Sequence, residues 1–359
     1  MSPLKERHET GALEGLRPSK ATIPERLNSK GEGDTGDRVQ MKNIEIAGLG
    51  ALNIDHIYRV ERILDDAETV VSEAQSFPGG SAANTIYGLA KLEVNTGFIG
   101  MLGDEADGKA LLHDFQKVKV DTSHIRVKSG ARTGSVLCLS DKQSKRSLYV
   151  VPGANNLLTK DDLDLAYINQ AKILHLSSFA DDKQFQLSLE LMDRLSVRLS
   201  FTPGAIYAPK GLKTLAPILN KTHILFVNQD EIQQLTGEDI IAGAEICLKQ
   251  GCHIVVVTLG KGISLRKTNA ICYIRDAQNE YAVETNRANT IDEVDATGAG
   301  DAFATGFLYG LLNDKDLTEC GRLGDIVAQF SISKVGARQG LPSSNQLIQR
   351  YQELYSEQL

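Results

Sequence analysis

Short, near-continuous apolar runs recur along this chain at Ile44 to Ala47, Ile173 to Leu176, Ile224 to Val227 and Ile254 to Val257, separated by longer segments of helical period. A strand that is apolar along its whole length must be covered on both faces, and crossover helices are the usual cover. The pattern predicts an α/β fold: a doubly wound, mostly parallel sheet flanked by helices. Two stretches depart from it by alternating apolar and polar residues, Ile57 to Phe77 and Thr133 to Leu139, the second continuing across a polar turn into Ser147 to Val151. Period two marks strands with one wet face, so segments at about 55–78 and 132–151 are expected to form a small antiparallel β lid off the main sheet.

Residues 1–40 carry charged and small residues with only scattered apolar ones. They cannot bury enough surface to offset their ordering entropy and are expected to be a disordered extension before a single domain at 41–359. A formal charge of -7, with no clustered basic face, speaks against a nucleic-acid partner. No apolar run approaches the ~18 to 20 residues that span a bilayer, and no signal-peptide core is present, so no membrane partner and a cytoplasmic location are expected. The five cysteines form no C-x-x-C pair, which suggests reduced thiols rather than disulfides or a thiolate metal site.

The chemistry concentrates in two glycine-rich stretches. In Asp295-Ala-Thr-Gly-Ala-Gly-Asp301, glycines lead into the apolar helical run Phe303, Phe307, Leu308, Leu311. Free N–H groups and the dipole at such a helix start bind phosphate. A carboxylate at Asp301 would repel that phosphate, which makes sense if it takes a proton from an attacking hydroxyl; the plainer alternative is that it caps the helix. Upstream, Gly79-Gly80-Ser-Ala-Ala-Asn84 opens a second helical run, offering backbone and amide donors suited to polyhydroxyl groups, with Ser81 as a simple N-cap the alternative.

Together these stretches resemble the two signatures of the ribokinase (PfkB) family, G-G-x-x-x-N and D-T-x-G-A-G-D, in the family's order, and the similarity in rhythm covers about Met41 to Tyr355. The resemblance implies an ATP-dependent kinase that moves the γ-phosphate to a hydroxyl of a sugar or nucleoside. On it, Asp301 is the general base and Gly298, Ala299 and Gly300 form the anion hole. Asn53, Asp55, Gly80, Asn84 and Asn155 are matched to the substrate pocket. Asn228 and Glu231 resemble an N-x-x-E motif that organises Mg²⁺ near the phosphates, although Asn followed by Glu three residues on is also a capping box. Thr258, Gly260 and Gly262 resemble the nucleotide-side loop, and Asp295 and Thr297 sit where many relatives hold a monovalent cation such as K⁺. Ala296 stands where the family usually has Thr. Arg146 would meet a substrate phosphate or remain a solvated turn charge. The lid's apolar face is expected to pair with a second subunit as a homodimer. Two other readings compete. A noncatalytic, ligand-binding relative is opposed by Asp301 beside an intact G-A-G, and an NAD-dependent oxidoreductase by Asn53, which replaces the third glycine of Gly48-Leu-Gly50-Ala-Leu-Asn53.

Overall fold

A computed structural model describes residues 43–142, 146–284 and 292–356. The chain divides into two units, Met1–Met41 and Lys42–Leu359; the first, where the disordered extension was expected, lies outside the described residues, and the second carries everything below.

Among the described residues thirteen strands follow one another: β1 Ile46–Leu49, β2 Asn53–Val60, β3 Val71–Gly79, β4 Thr96–Gly103, β5 Ile125–Lys128, β6 Gly134–Asp141, β7 Arg146–Val151, β8 Ile173–Ser177, β9 Arg198–Thr202, β10 Thr222–Asn228, β11 Ile254–Leu265, β12 Thr268–Arg275 and β13 Glu280–Glu284. Nine of them form one sheet in the order β13-β12-β11-β10-β9-β8-β1-β4-β5. The four apolar runs are β1, β8, β10 and β11. All pairs from β11 through β5 are parallel. Burial on both faces is visible along β10, where Leu225 and Val227 pack into one hydrophobic cluster and Ile224 and Phe226 into the other. An antiparallel extension, β11-β12-β13, completes one edge; no parallel-strand rhythm announces it, because a meander needs no crossover helix.

The two period-two segments form a separate sheet, β3-β2-β6-β7. Each is an antiparallel hairpin, β2 with β3 and β6 with β7, and the hairpins join through a parallel pair, β2 with β6, that places Asn53 opposite Gly134. Most of β3 and β7 is exposed on both faces, and the buried residues of this sheet lie mainly on β2 and β6. β3 ends at Gly79, with Gly80 alone between it and the helix Ser81–Lys91, so lid and site are continuous in the chain.

The helices Ser81–Lys91 and Ala299–Leu312 are fastened to each other near their N-termini. Thr305 Oγ1 donates to Asp301 O at 2.9 Å and Thr85 O at 3.3 Å, while Thr85 Oγ1 donates to Asp301 O at 3.3 Å. Both threonines are buried, which keeps the two helix starts side by side.

Candidate active site

Asp301 occupies the first turn of its helix but does not cap it. The N-cap is Gly298, in the left-handed region at φ 77°, with no side-chain capping bond. A side chain there would be strained and would collide with Ala337, so glycine is required. Freed from capping, the Asp301 carboxylate points to the other helix and accepts from Ser81 Oγ at 2.7 Å and Asn84 Nδ2 at 2.9 Å. Ser81 is not an N-cap either; Gly80 holds that position at φ 98°, where a Cβ would strike the Ala51 carbonyl. Burial pushes the Asp301 carboxyl up to about 6, against the lowering effect of the Asn84 and Ser81 hydrogen bonds and the Arg338 charge. Of the three backbone groups expected to make an anion hole, Ala299 turns its N–H back to Ala296 O at 3.2 Å; Gly298 and Gly300 flank it at the helix start.

Beside Asp301 a recess is lined by Asn53, Gly80, Ser81 and Asn155, with Val150 from the lid and Ser178 and Ile206 from the main body. Asp55 projects from the same strand as Asn53, and its Oδ1 is buried without a hydrogen-bond partner among the described residues. Burial raises the Asp55 carboxyl to about 6, Arg338 opposing and Asp301 adding to the rise. A buried carboxylate oxygen with nothing to accept from is costly and suits a ligand hydroxyl. Asn155 lines the recess, but its amide is spent inside the protein: Oδ1 accepts from Leu52 N at 2.9 Å, and Nδ2 donates to Asn53 Oδ1 at 2.9 Å, Pro152 O at 2.9 Å and Leu52 O at 3.2 Å. It orients Asn53 rather than offering groups of its own, and Asn53 is left to present Nδ2.

The expected nucleotide-side residues lie at the ends of β10 and β11. Asn228 and Glu231 make the full capping box, Asn228 Oδ1 accepting from Glu231 N at 2.8 Å and Glu231 Oε2 from Asn228 N at 3.1 Å. Burial raises the Glu231 carboxyl, with hydrogen bonding from Asn228 opposing and the Asp301 charge adding. Thr258 to Gly262 belongs to β11 itself, not to a loop after it. Thr258 pairs with Cys272 and Ile263 with Ala270, so the intervening residues bulge out of the ladder, with Gly260 and Gly262 at positive φ. Asp295 accepts from Thr297 Oγ1 at 2.7 Å, Thr297 N at 3.0 Å and Gly336 N at 2.9 Å. Burial would raise its pKa, but these bonds and Arg146 bring it below the usual range. Arg146, at the start of lid strand β7, donates to Thr297 Oγ1 at 2.8 Å and lies 3.6 Å from Asp295; it is neither a bare turn charge nor beside the recess. No group of three or more His, Cys, Asp or Glu side chains placed to hold a metal occurs among the described residues.

Motif reading overlooked Arg338, which is buried and reaches the site from the segment after the helix Leu317–Ile332. Its Nε donates to Asn84 Oδ1 at 2.8 Å, Nη1 to Asp114 Oδ2 at 2.8 Å and Nη2 to Gly79 O at 3.1 Å. Ser178 and Ile206 were overlooked too. They lie in no motif, and only the path of β8 and the turn after β9 brings them to the recess.

Residues 43–344 match the pfkB carbohydrate kinase family. An uncharacterized sugar kinase from Archaeoglobus fulgidus is 37% identical over 260 residues, 72% of this chain and 99% of that protein. Ribokinase from Arabidopsis thaliana, solved with ribose and ATP, superposes with a TM-score of 0.72 at 24% identity over 85% of this chain and 98% of its own. The nucleoside kinase of Burkholderia thailandensis, solved with inosine, gives a TM-score of 0.72 at 20% identity over 88% and 100%. Among the described residues no helix is long and apolar enough to cross a membrane.

Proposed function

Because the chain belongs to the pfkB family of carbohydrate kinases, we propose that it moves the γ-phosphate of ATP to a hydroxyl of a sugar or nucleoside bound between Asn53, Asp55, Asn84 and Asp301. One observation carries the residue assignment: Asp301 sits in the first turn of a helix capped by glycine, yet its carboxylate turns away from its own helix toward the recess wall. In the proposed step the acceptor hydroxyl attacks the γ-phosphorus, an O–P bond forms, the bond to the β-phosphate oxygen breaks, and the hydroxyl proton passes to Asp301. ADP departs with the bonding electrons. A carboxyl near 6 is ionised at neutral pH yet basic enough to take the proton in the transition state. Gly298 and Gly300, on either side of Ala299, present the helix N-terminus to the charge spreading over the transferred group. The Thr258 to Gly262 bulge, with Gly260 and Gly262, is the nucleotide side, and Asp55 and Asn53 grip acceptor hydroxyls.

Magnesium fits what the chain offers. Glu231 is a partly buried carboxylate whose proton affinity is raised by burial, and with Asn228 it would hold Mg²⁺ through water, as this ion prefers. When bound, the ion neutralises phosphate charge. A monovalent cation at Asp295 and Thr297 fits poorly, since Arg146 already brings positive charge to both. The apolar residues Leu148, Tyr149 and Val151 on β7 are more than half exposed, which supports pairing of two lids in a homodimer; light scattering at working concentration tests it, a strict monomer excluding it. Five free, buried cysteines fit a reducing compartment such as the cytoplasm.

The test of the base is Asp301→Asn. An amide cannot take the hydroxyl proton, so kcat should fall by at least ~10² while ATP and acceptor bind about as before. Parental kcat in this variant would refute the mechanism.

A further inference from the structure

An ionised Asp301 is an acceptor only, so a side chain that supports it must present a donor. Asn84 has both kinds of group on one planar amide, and the torsion that turns the amide over is soft and nearly two-fold. Nothing in the position of Asn84 on its helix selects the face shown to Asp301. The selection comes from the other side: Arg338 Nε donates to Asn84 Oδ1 at 2.8 Å while Asn84 Nδ2 donates to Asp301 Oδ2 at 2.9 Å. Turning the amide over would set its NH₂ against a guanidinium N–H and its oxygen against a carboxylate, losing two hydrogen bonds and creating two repulsions.

Arg338 has little freedom to adapt. Only 4% of it is exposed. Nη1 is held by Asp114 and Nη2 by the Gly79 carbonyl, and the guanidinium lies 5.1 and 5.2 Å from the ring centroids of Tyr87 and Phe115. The residues just before it brace the opposite wall: Gly336 N donates to Asp295, and Ala337 packs where a Gly298 side chain would be. Three consecutive residues, Gly336 to Arg338, thus touch the loop before the proposed anion hole, its cap and the asparagine beside the base.

We infer that Arg338 is a positioning residue for phosphoryl transfer, holding the Asn84 amide in the one orientation that supports the carboxylate of Asp301. The inference rests on the reading of Asp301 as the base. It requires the planar fork of arginine, because an ammonium at this place can meet Asp114 but cannot also supply donors to Asn84 and Gly79 in fixed directions.

A double-mutant cycle tests it, run with ATP and whichever of ribose, fructose and inosine the parent phosphorylates fastest. Arg338→Lys keeps the charge opposite Asp114. It should lower kcat by about 10- to 50-fold, with the KM for ATP changed less than about threefold, an effect of the size seen for contacting residues in such cycles. In an Asn84→Ala background the same substitution should change kcat by less than about threefold, since the amide it acts through is gone. Equal losses in both backgrounds, or parental kcat with only a lowered melting temperature, would reduce Arg338 to a structural ion pair and overturn the inference. Should Arg338→Lys not fold, Arg338→Met with Asp114→Leu removes both buried charges together and enters the cycle with the same two outcomes. Failure of the base reading looks different: Asp301→Asn would then keep its rate whatever the cycle gives.

Discussion

The proposed acceptor side and the proposed nucleotide side of the site are built by different means. Around the recess, the bonds that orient side chains join residues far apart in the chain: Ser81 to Asp301 across 220 positions, Asn84 to Asp301 across 217, Arg338 to Asn84 across 254, Asn155 to Asn53 across 102. On the nucleotide side the capping box is local, Asn228 with Glu231 at a separation of 3, while the loop before the anion hole mixes both kinds, Asp295 accepting from Thr297 at 2 and Gly336 at 41 and Arg146 reaching Thr297 across 151. A locally bonded wall keeps its shape wherever its own strand end goes. A cross-chain wall exists only when the whole domain is assembled, and it can hold groups at a cost in energy, as with the unpartnered oxygen of Asp55 and the two carboxyls raised to about 6. Selecting the acceptor needs such a preorganised, partly unsatisfied surface; holding phosphates through backbone groups and a hydrated metal ion does not.

The sharpest way to break this contrast is Asp55→Ala. Loss of a hydrogen bond to a charged group should raise the acceptor KM by about 10- to 100-fold, while nucleotide affinity measured without acceptor stays within about twofold of the parent. Equal weakening toward nucleotide would merge the two sides.

Next in size is the response to pH. With Asp55 and Asp301 both near 6, and the Asp301 charge adding to the rise of Asp55, the two should titrate as a pair. The base must be ionised, so kcat/KM should fall about tenfold per pH unit below about 6. Stability should run the other way. A carboxyl raised above its unfolded value contributes stability that is fully present below its ordinary value near 4 and is lost as pH rises through 6. Asp301→Asn, which cannot ionise, should therefore melt higher than the parent at pH 7, and a lower melting temperature there would mean the buried charge is not a cost.

On the nucleotide side, Glu231→Gln keeps the shape of the capping box but removes a charge; the apparent Mg²⁺ requirement should rise about tenfold, with the acceptor KM unmoved. A shift in acceptor KM would show that this side, too, is coupled to the recess. The smallest effect concerns the cation beside Asp295. With Arg146 in place, initial rates in potassium chloride and in choline chloride of equal ionic strength should agree within about twofold, and in Arg146→Ala the potassium reaction should become the faster. Strong potassium dependence in the parent would mean that Arg146 leaves Asp295 in the working enzyme.

Much of this was legible from the residues in order. Runs such as Ile224 to Val227 dictate a strand buried on both faces because side chains alternate with period two, and β10 packs apolar groups into both clusters. The alternation in Ile57 to Phe77 and Thr133 to Val151 marked the lid for the same reason. Gly80 and Gly298 announce helix starts because positive φ is open to glycine, and the capping box at Asn228 is a matter of three residues. What tertiary structure alone decided is where side chains end. The same sequence features allowed Asp301 and Ser81 to be helix caps, Asn155 to be a ligand contact and Arg146 to be a turn charge; packing sent the first two to each other, turned Asn155 onto Asn53, and carried Arg146 to Asp295. Arg338 carries no local sign at all, since its partners Asn84, Gly79 and Asp114 lie 224 to 259 positions away. A side-chain hydrogen bond is set by which surfaces the fold presses together, and local pattern says which face of an element is buried without saying what it is buried against.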